Sequence, residues 1–247
     1  MNCLKNFISN IRLPWLIFTL LVFCGLVKLG LWQNDRALQK EQRIATIAQL
    51  SQTQALSLSQ VLLEKNEIND LPITMLGEFD NDIIFLLDNQ TNKGQLGYRV
   101  YQVFNSGEHA VLVNLGWVLG SINRQEIPDV QAITGQYQLS GHVRKIEQGI
   151  MLMEQVLVKG EWPLRVQQIE LDKFSTLISR QLLPFVVYLD KTESVGYEKN
   201  WQPIVMPPEK HRAYAFQWFS LAIAWLMLMI WASIKLGKNS EQALNHK

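Results

Sequence analysis

Between Ala213 and Ile234 the chain carries 22 residues without a charged side chain. As an α-helix rising ~1.5 Å per residue, the run reaches about 33 Å, enough to cross the hydrocarbon core of a bilayer. Tyr214, Trp218 and Trp231 stand near its ends, where amphipathic rings anchor a span at the headgroup level. A second candidate, LPWLIFTLLVFCGLVKLGLWQ, runs from Leu13 to Gln33 with Lys28 as its one charge. Lys28 sits a turn from the end, and its stem can carry the ammonium outward to the interface.

A cleaved signal peptide is the competing reading of this first run, because Lys5 and Arg12 precede it. The run is long for such a signal and no small-x-small cleavage site follows it. Phe23 also occupies the place before Cys24 where a lipoprotein signal needs a small residue. A retained anchor is therefore expected. Lys5 and Arg12 before the first span, and Lys235, Lys238 and Lys247 after the second, put both termini in the cytoplasm by the positive-inside rule.

The expected organisation is then a cytoplasmic N-terminus over 1–12, transmembrane helices over 13–33 and 213–234, an extracytoplasmic (periplasmic) domain over 34–210, and a cytoplasmic C-terminus over 235–247. The segment before the first span is short and lacks an arginine-rich amphipathic leader, which favours a bacterial inner membrane over a mitochondrial one.

Composition narrows the function classes. A formal net charge of +1 with scattered charges offers no basic face for nucleic acid. Both cysteines, Cys3 and Cys24, fall outside 34–210, so that domain has neither a disulfide nor a thiol metal site. Thiol-disulfide exchange and cysteine-based copper delivery by this chain alone are excluded.

Within the domain, Asp35 to Gln52 has helical apolar spacing and continues the first span, with Asp35 suited to cap its start. A shorter helix is expected around Leu58 to Lys65, broken by Asn66 to Pro72. From Pro72 the period becomes two: ITMLGEFD, IIFLLD, YRVYQVF, AVLVNLGWV, QAITGQYQLSGHV and LPFVVYLD read as short strands. One helix interrupts them, from Leu171 or Asp172 to Leu182, with Asp172 as its cap. The expected fold class is a membrane α+β protein: two transmembrane helices flanking an extracytoplasmic domain with an antiparallel β-sheet or small barrel and a few helices.

Enzymatic chemistry finds little support. There is no G-x-S-x-G elbow, phosphate-cradling glycine loop or H-E-x-x-H pair, and His109, His142, His211 and His246 are far apart in sequence. His109 follows a turn and His142 lies in a strand, where each reads as an ordinary side chain. Asp80, Asp82 and Asp88 read as turn formers whose carboxylates bond local N–H groups.

His211 differs by its place in HRAYAFQWF. Helical spacing puts His211, Ala215, Trp218, Ala222 and Trp225 on one face. Three readings follow: a side chain snorkelling at a helix end, a neutral imidazole offering its lone pair to a metal such as haem iron, or a small-residue face where another helix packs.

Three stretches together resemble the Surfeit locus protein 1 family of cytochrome c oxidase assembly factors. LGLWQNDR (Leu29 to Arg36) is similar to the family's L-G-x-W-Q-x-x-R. GYRVYQVF (Gly97 to Phe104) with VLVNLGWV (Val111 to Val118) is similar to its G-Y-x-V and V-L-V-N-R-G-W-V strands, and HRAYAFQWF to its H-x-x-Y-A-x-x-W-F. One departure is Leu115, where the family usually has arginine; a contact made by that arginine would fall to Arg99 or Arg144.

The resemblance implies a non-enzymatic factor that assists delivery or insertion of haem a into the oxidase catalytic subunit. It implies that subunit as partner, with haem a synthase as a second candidate and membrane lipid around the spans. His211 would be the iron ligand, with Tyr214 and Trp218 beside it. Trp32, Gln33, Arg36, Gly97, Tyr98, Asn114, Gly116 and Trp117 would be fold or partner-contact residues. A haem-free chaperone that holds an oxidase subunit by helix packing is the alternative.

Overall fold

A computed structural model describes residues 13–123, 126–146, 157 and 162–245. Cys3, Lys5, Arg12, His246 and Lys247 lie outside these residues. In chain order the elements are α1 (Leu13–Leu50), β1 (Leu56–Ser57), α2 (Leu58–Leu63), β2 (Pro72–Asn92), β3 (Gln95–Ser106), β4 (His109–Leu119), β5 (Gln136–Arg144), β6 (Leu164–Val166), α3 (Leu171–Ile178), β7 (Leu182–Leu189) and α4 (Pro208–Asn245). They form two units, one from the residues up to Thr46 with those from Pro203 onward, the other over Ile47–Gln202.

In the first unit, the expected span and the amphipathic stretch after it are one continuous helix of 38 residues, about 57 Å long. Pro14 falls in the first turn, where its missing N–H is not needed, and no later proline interrupts the ladder. α4 likewise opens on Pro208, with Glu209 in the first turn against the positive end of the helix. Both helices are long and apolar enough to cross a membrane, and little of either is buried inside the protein. Lys28 and Cys24 are exposed on α1.

Small residues bring the two helices together. Gly30, Ala37, Ala215 and Ala222 are buried, and a Cβ added at Gly30 would lie 2.5 Å from the Phe219 ring. Lower in the pair, the Trp225 indole Nε1–H donates to the Thr19 carbonyl at 3.1 Å, and the Phe18 and Trp225 rings meet edge-on at 5.8 Å. The small-residue face foreseen on α4 is thus filled by this chain's own first helix, as close backbone approach requires.

The second unit is a sheet that closes on itself. Neighbouring pairs run β2–β3–β4–β7–β5 and return to β2, because β2 pairs β5 through Pro72–Glu78 and β3 through Glu78–Asn92. The expected barrel is present, as a mixed sheet: β7 runs parallel to β4, and β1 and β6 run parallel to β2. The parallel step follows from α3, whose crossover returns the chain to the same end of the sheet.

Two stretches read as separate strands, ITMLGEFD and IIFLLD, are halves of β2. The turn foreseen at Asp80–Asp82 is a register shift inside it, where the Asp80 carboxylate accepts the Asp82 N–H at 3.2 Å. Gln102, fully buried on β3, ties that bend down. Its Nε2 donates to the Asp80 and Ile133 carbonyls at 2.6 and 2.9 Å, and its Oε1 accepts the Ile133 N–H at 3.1 Å. The hairpin from β2 to β3 turns on Lys93 and Gly94, both at positive φ, as a two-residue primed turn requires. α3 also differs from expectation: it starts after Glu170 without a side-chain cap, Asp172 lies inside its first turn, and it ends at Ser179 in the left-handed region, short of Leu182.

Alternation along β4 separates two buried clusters. Val111, Val113 and Leu115 join Ile73, Phe104, Leu139 and Val187 in one. Ala110 and Leu112 join Phe85, Phe174 and Val186 in the other, beneath α3, where the Phe85 and Phe174 rings stack at 4.1 Å. A strand buried on both faces reads as a nearly unbroken apolar run, which is what AVLVNLGWV is.

Leu115 is the extra residue of a bulge, since Val100 pairs Gly116 while Tyr101 pairs Asn114. Its side chain is fully buried in the first cluster, so the position at which the resembled family carries arginine is here an apolar core site. Gly116 follows at φ +120° with its N–H donating to the Asn114 side chain at 2.9 Å. Past this bulge β4 leaves β7, and the segment around Tyr197 and Glu198 takes its place. Tyr197 N–H donates to the Leu115 carbonyl at 2.7 Å, and Trp117 N–H to that of Glu198 at 2.8 Å.

Candidate functional site

Histidine at the opening of an apolar helix needs a partner if it is buried, and α1 supplies it. His211 is only 8% exposed, and its Nδ1 lies 2.7 Å from Oε1 of Gln33. With the amide in this orientation, Nδ1 carries the proton and donates, which leaves the Nε2 lone pair outward from that bond. Nε2 is buried and has no hydrogen-bond partner among the described residues. A ring held through one nitrogen with the other left as a lone pair is the usual state of a metal-ligating histidine.

Nearby, the Arg212 guanidinium pairs with Glu41 on α1 at 2.7 Å. Of the motif residues on α1, only Gln33 turns toward His211. Trp32 and Arg36 are exposed, with the Arg36 guanidinium 5.7 Å over the Trp32 ring and donating to Gln39 at 3.0 Å. On α4, Trp218 is half-buried on the face toward α1, whereas Tyr214 is 46% exposed. The donor chemistry fits a haem iron. Access requires the side chains covering Nε2 to move aside, since that atom is shielded from solvent. Among the described residues no three His, Cys, Asp or Glu side chains converge as a metal cage.

In the second unit the motif residues are structural neighbours. A Cβ on Gly97 would sit 2.1 Å from the Val118 carbonyl and 2.7 Å from the Trp117 ring. The Trp117 indole lies across that glycine and donates Nε1–H to the Gln90 carbonyl at 2.7 Å. Tyr98 is buried in the first cluster.

Asn114 Nδ2 donates to the Tyr101 hydroxyl at 3.4 Å, which lies 3.2 Å from that of Tyr188. Burial pushes the Tyr101 phenol well above its ordinary range, with Tyr188 adding to the effect, so it remains neutral. Around Tyr188 gather Trp201, at a centroid distance of 5.0 Å, and His142, whose ring lies 4.4 Å from that of Trp201. His142 Nδ1 reaches the Asp190 carboxylate at 3.5 Å, while its Nε2 is buried without a partner among the described residues.

Of the two arginines considered as substitutes for the one missing at Leu115, Arg144 is committed to Asp70 and lies 5.1 Å over the Trp201 ring. Arg99 is half-buried near the Tyr101–Tyr188 pair. Sequence reasoning did not bring Tyr101, Tyr188 and Trp201 together; their only signal is polar or aromatic residues inside apolar strands. Because Arg144 and Asp70 are both largely buried, Asp70→Asn, which tolerates the positive φ at this position, leaves a cation without its counter-charge. A stability loss of about 3 kcal/mol is expected by that principle, read as a lower denaturant midpoint.

The His211–Gln33 contact joins two of the stretches on which the resemblance was drawn, and the Asn114–Gly116–Trp117 bulge is the third. The sequence profile of the SURF1 family matches residues 20–223, which includes all three. The chain belongs to the SURF1 family. No curated protein sequence matches the chain. Membership in the SURF1 family implies a role in cytochrome c oxidase assembly, and members are assembly factors, not enzymes. With its two apolar helices, this SURF1-family protein is membrane-anchored.

Proposed function

We propose that this protein assists delivery or insertion of haem a into the catalytic subunit of cytochrome c oxidase, with His211 Nε2 as a passing ligand of the haem iron. The observation that carries this reading is the buried, unpartnered Nε2 of an imidazole fixed through Nδ1 by Gln33. A transient carrier needs a ligand whose orientation is set in advance and whose partner can leave. Trp218, half-buried on the same helical face as His211, and Tyr214, exposed, would flank the cargo. The protein would act without turnover in a bacterial inner membrane. Both termini would be cytoplasmic, the domain over 34–210 periplasmic, and haem a synthase a neighbour that hands over the cargo.

A haem-free chaperone is the second reading. Because Ala215 and Ala222 already pack on α1, a partner helix would have to use the exposed apolar faces, such as that of Phe216, Ile223 and Met227. Bulky residues at Ala215 or Ala222 would disrupt the helix pair itself and do not separate the two readings.

The reduced-minus-oxidised spectrum does separate them, for the full chain purified from cells that make haem a. A haem a band in the wild type that vanishes in His211→Ala, at equal folded protein, is expected. A band that persists in the variant removes His211 as the ligand and overturns this reading, and no band in either protein overturns it in favour of the haem-free chaperone.

A further inference from the structure

One cleft of the second unit gathers two cationic side chains that form no ion pair among the described residues. Arg99, Asn114, Tyr188, Lys199, Asn200 and Trp201 line it, together with the bare backbone of Gly116. It is open on one side, and inside it there is room for about one water-sized group. The segment that docks on the Gly116 bulge places Lys199, Asn200 and Trp201 there.

Arg99 is fixed through Nε, which donates to Gln90 at 3.1 Å, and among the described residues its two terminal nitrogens meet no carboxylate. Lys199 is half-buried, makes no ion pair among the described residues, and is held below its ordinary pKa by burial, with Glu193 opposing. If Asn114 donates to Tyr101 and Tyr101 to Tyr188, the Tyr188 O–H remains free to donate into the cleft. Asn200 Oδ1 is buried without a partner among the described residues, and a half-turn of the amide presents its N–H groups instead.

The cleft thus presents two cations and a hydroxyl donor, with Trp201 and Leu189 as apolar walls. Arg99 and Lys199 line the same cleft, and two partly desolvated cations sharing it are costly unless an anion joins them. A guanidinium fork beside an ammonium suits the oxygens of a planar or tetrahedral oxoanion.

We propose that the mouth of this cleft binds an oxoanion group, phosphate or carboxylate, with one oxygen entering it and the group held by Arg99, Lys199 and the Tyr188 hydroxyl against Trp201. The site holds one acidic group, either a free anion or the head of a larger molecule that remains outside. It is independent of the His211 reading, since every residue involved lies within Ile47–Gln202.

The test follows thermal unfolding of the full-length protein in detergent as inorganic phosphate replaces chloride at constant ionic strength. A saturable rise in midpoint is expected, with half-saturation weakened at least tenfold in Arg99→Gln and in Lys199→Gln. It should be unchanged in Lys65→Gln, an exposed lysine outside the cleft, and largely restored in Lys199→Arg. A parallel titration uses short-chain phosphatidic acid below its micelle concentration. Tighter, Lys199-dependent binding there assigns a lipid headgroup, and equal binding assigns a free anion. No saturable rise, or one that survives both glutamine substitutions, overturns the proposal.

Discussion

Gly116→Ala is expected to destabilise the β unit by about 3–5 kcal/mol, a large part of the 5–15 kcal/mol that typically holds a domain together. Two costs coincide at this position. The backbone stands at φ +120°, beyond the left-handed pocket that asparagine or aspartate tolerate. A Cβ would also meet the Tyr197 carbonyl carbon at 2.7 Å, which is backbone and cannot rotate away.

Relief requires the strap at Tyr197 and Glu198 to lift off β4, breaking its three hydrogen bonds and opening the bulge. Denaturant unfolding followed by near-ultraviolet circular dichroism should show the midpoint falling in this variant and in Gly97→Ala, where the new atom would lie 2.1 Å from the Val118 carbonyl. Gly25→Ala, in a helix with nothing within 4 Å of the added atom, serves as the control and should be neutral or slightly stabilising. Equal midpoints for Gly116→Ala and Gly25→Ala would refute the packing account of the bulge.

On the proposed carrier role, Gln33→Leu is expected to reduce retained haem a by roughly ten- to a hundredfold while leaving His211 in place, the range seen when the partner behind a metal-binding histidine is removed. Leucine fills a similar volume but offers no oxygen to Nδ1–H. The ring then loses its fixed tautomer, and its Nδ1–H becomes a buried donor without an acceptor. Gln33→Glu keeps an acceptor and should retain most of the haem a. The reduced-minus-oxidised band per folded protein measures both. A Gln33→Leu protein that holds as much haem a as wild type would remove Gln33 from the site and weaken the case for His211 as ligand.

Those two residues also mark how far the sequence alone was legible. The helices could be read because apolar length is a one-dimensional property, and the strands because β-branched and aromatic residues cluster between turn formers. What could not be read was pairing. Asp80 and Asp82 have the chemistry of a turn, yet Gln102 and the β3 ladder keep β2 running through them with only a kink. The parallel contact between β4 and β7 depends on a crossover through a short helix whose cap chemistry is weak.

At the candidate site, the position of His211 on its helix was visible. That Gln33, 178 residues away, would face it was not, because side-chain partnership between two spans depends on their crossing and rotation. Tyr101 and Tyr188 were hidden for the same reason: each reads as one more aromatic in a strand until the sheet folds round and sets their hydroxyls 3.2 Å apart.

The ring of strands also has a consequence in time. β2 is among the first strands synthesised, yet a third of its length must wait for β5, and the ring closes only with β7, which ends at Leu189. Until β5 has emerged, the Pro72–Glu78 edge has no strand partner on that side, and until Leu189 has emerged β7 cannot join β5 to β4. Loop-closure entropy for such distant pairings is lost before the contacts are gained, so closure of the sheet is expected to be the slow step of folding. A growing chain of this kind therefore spends its longest interval as an open sheet, and it is during that interval that it most needs protection from pairing with its neighbours.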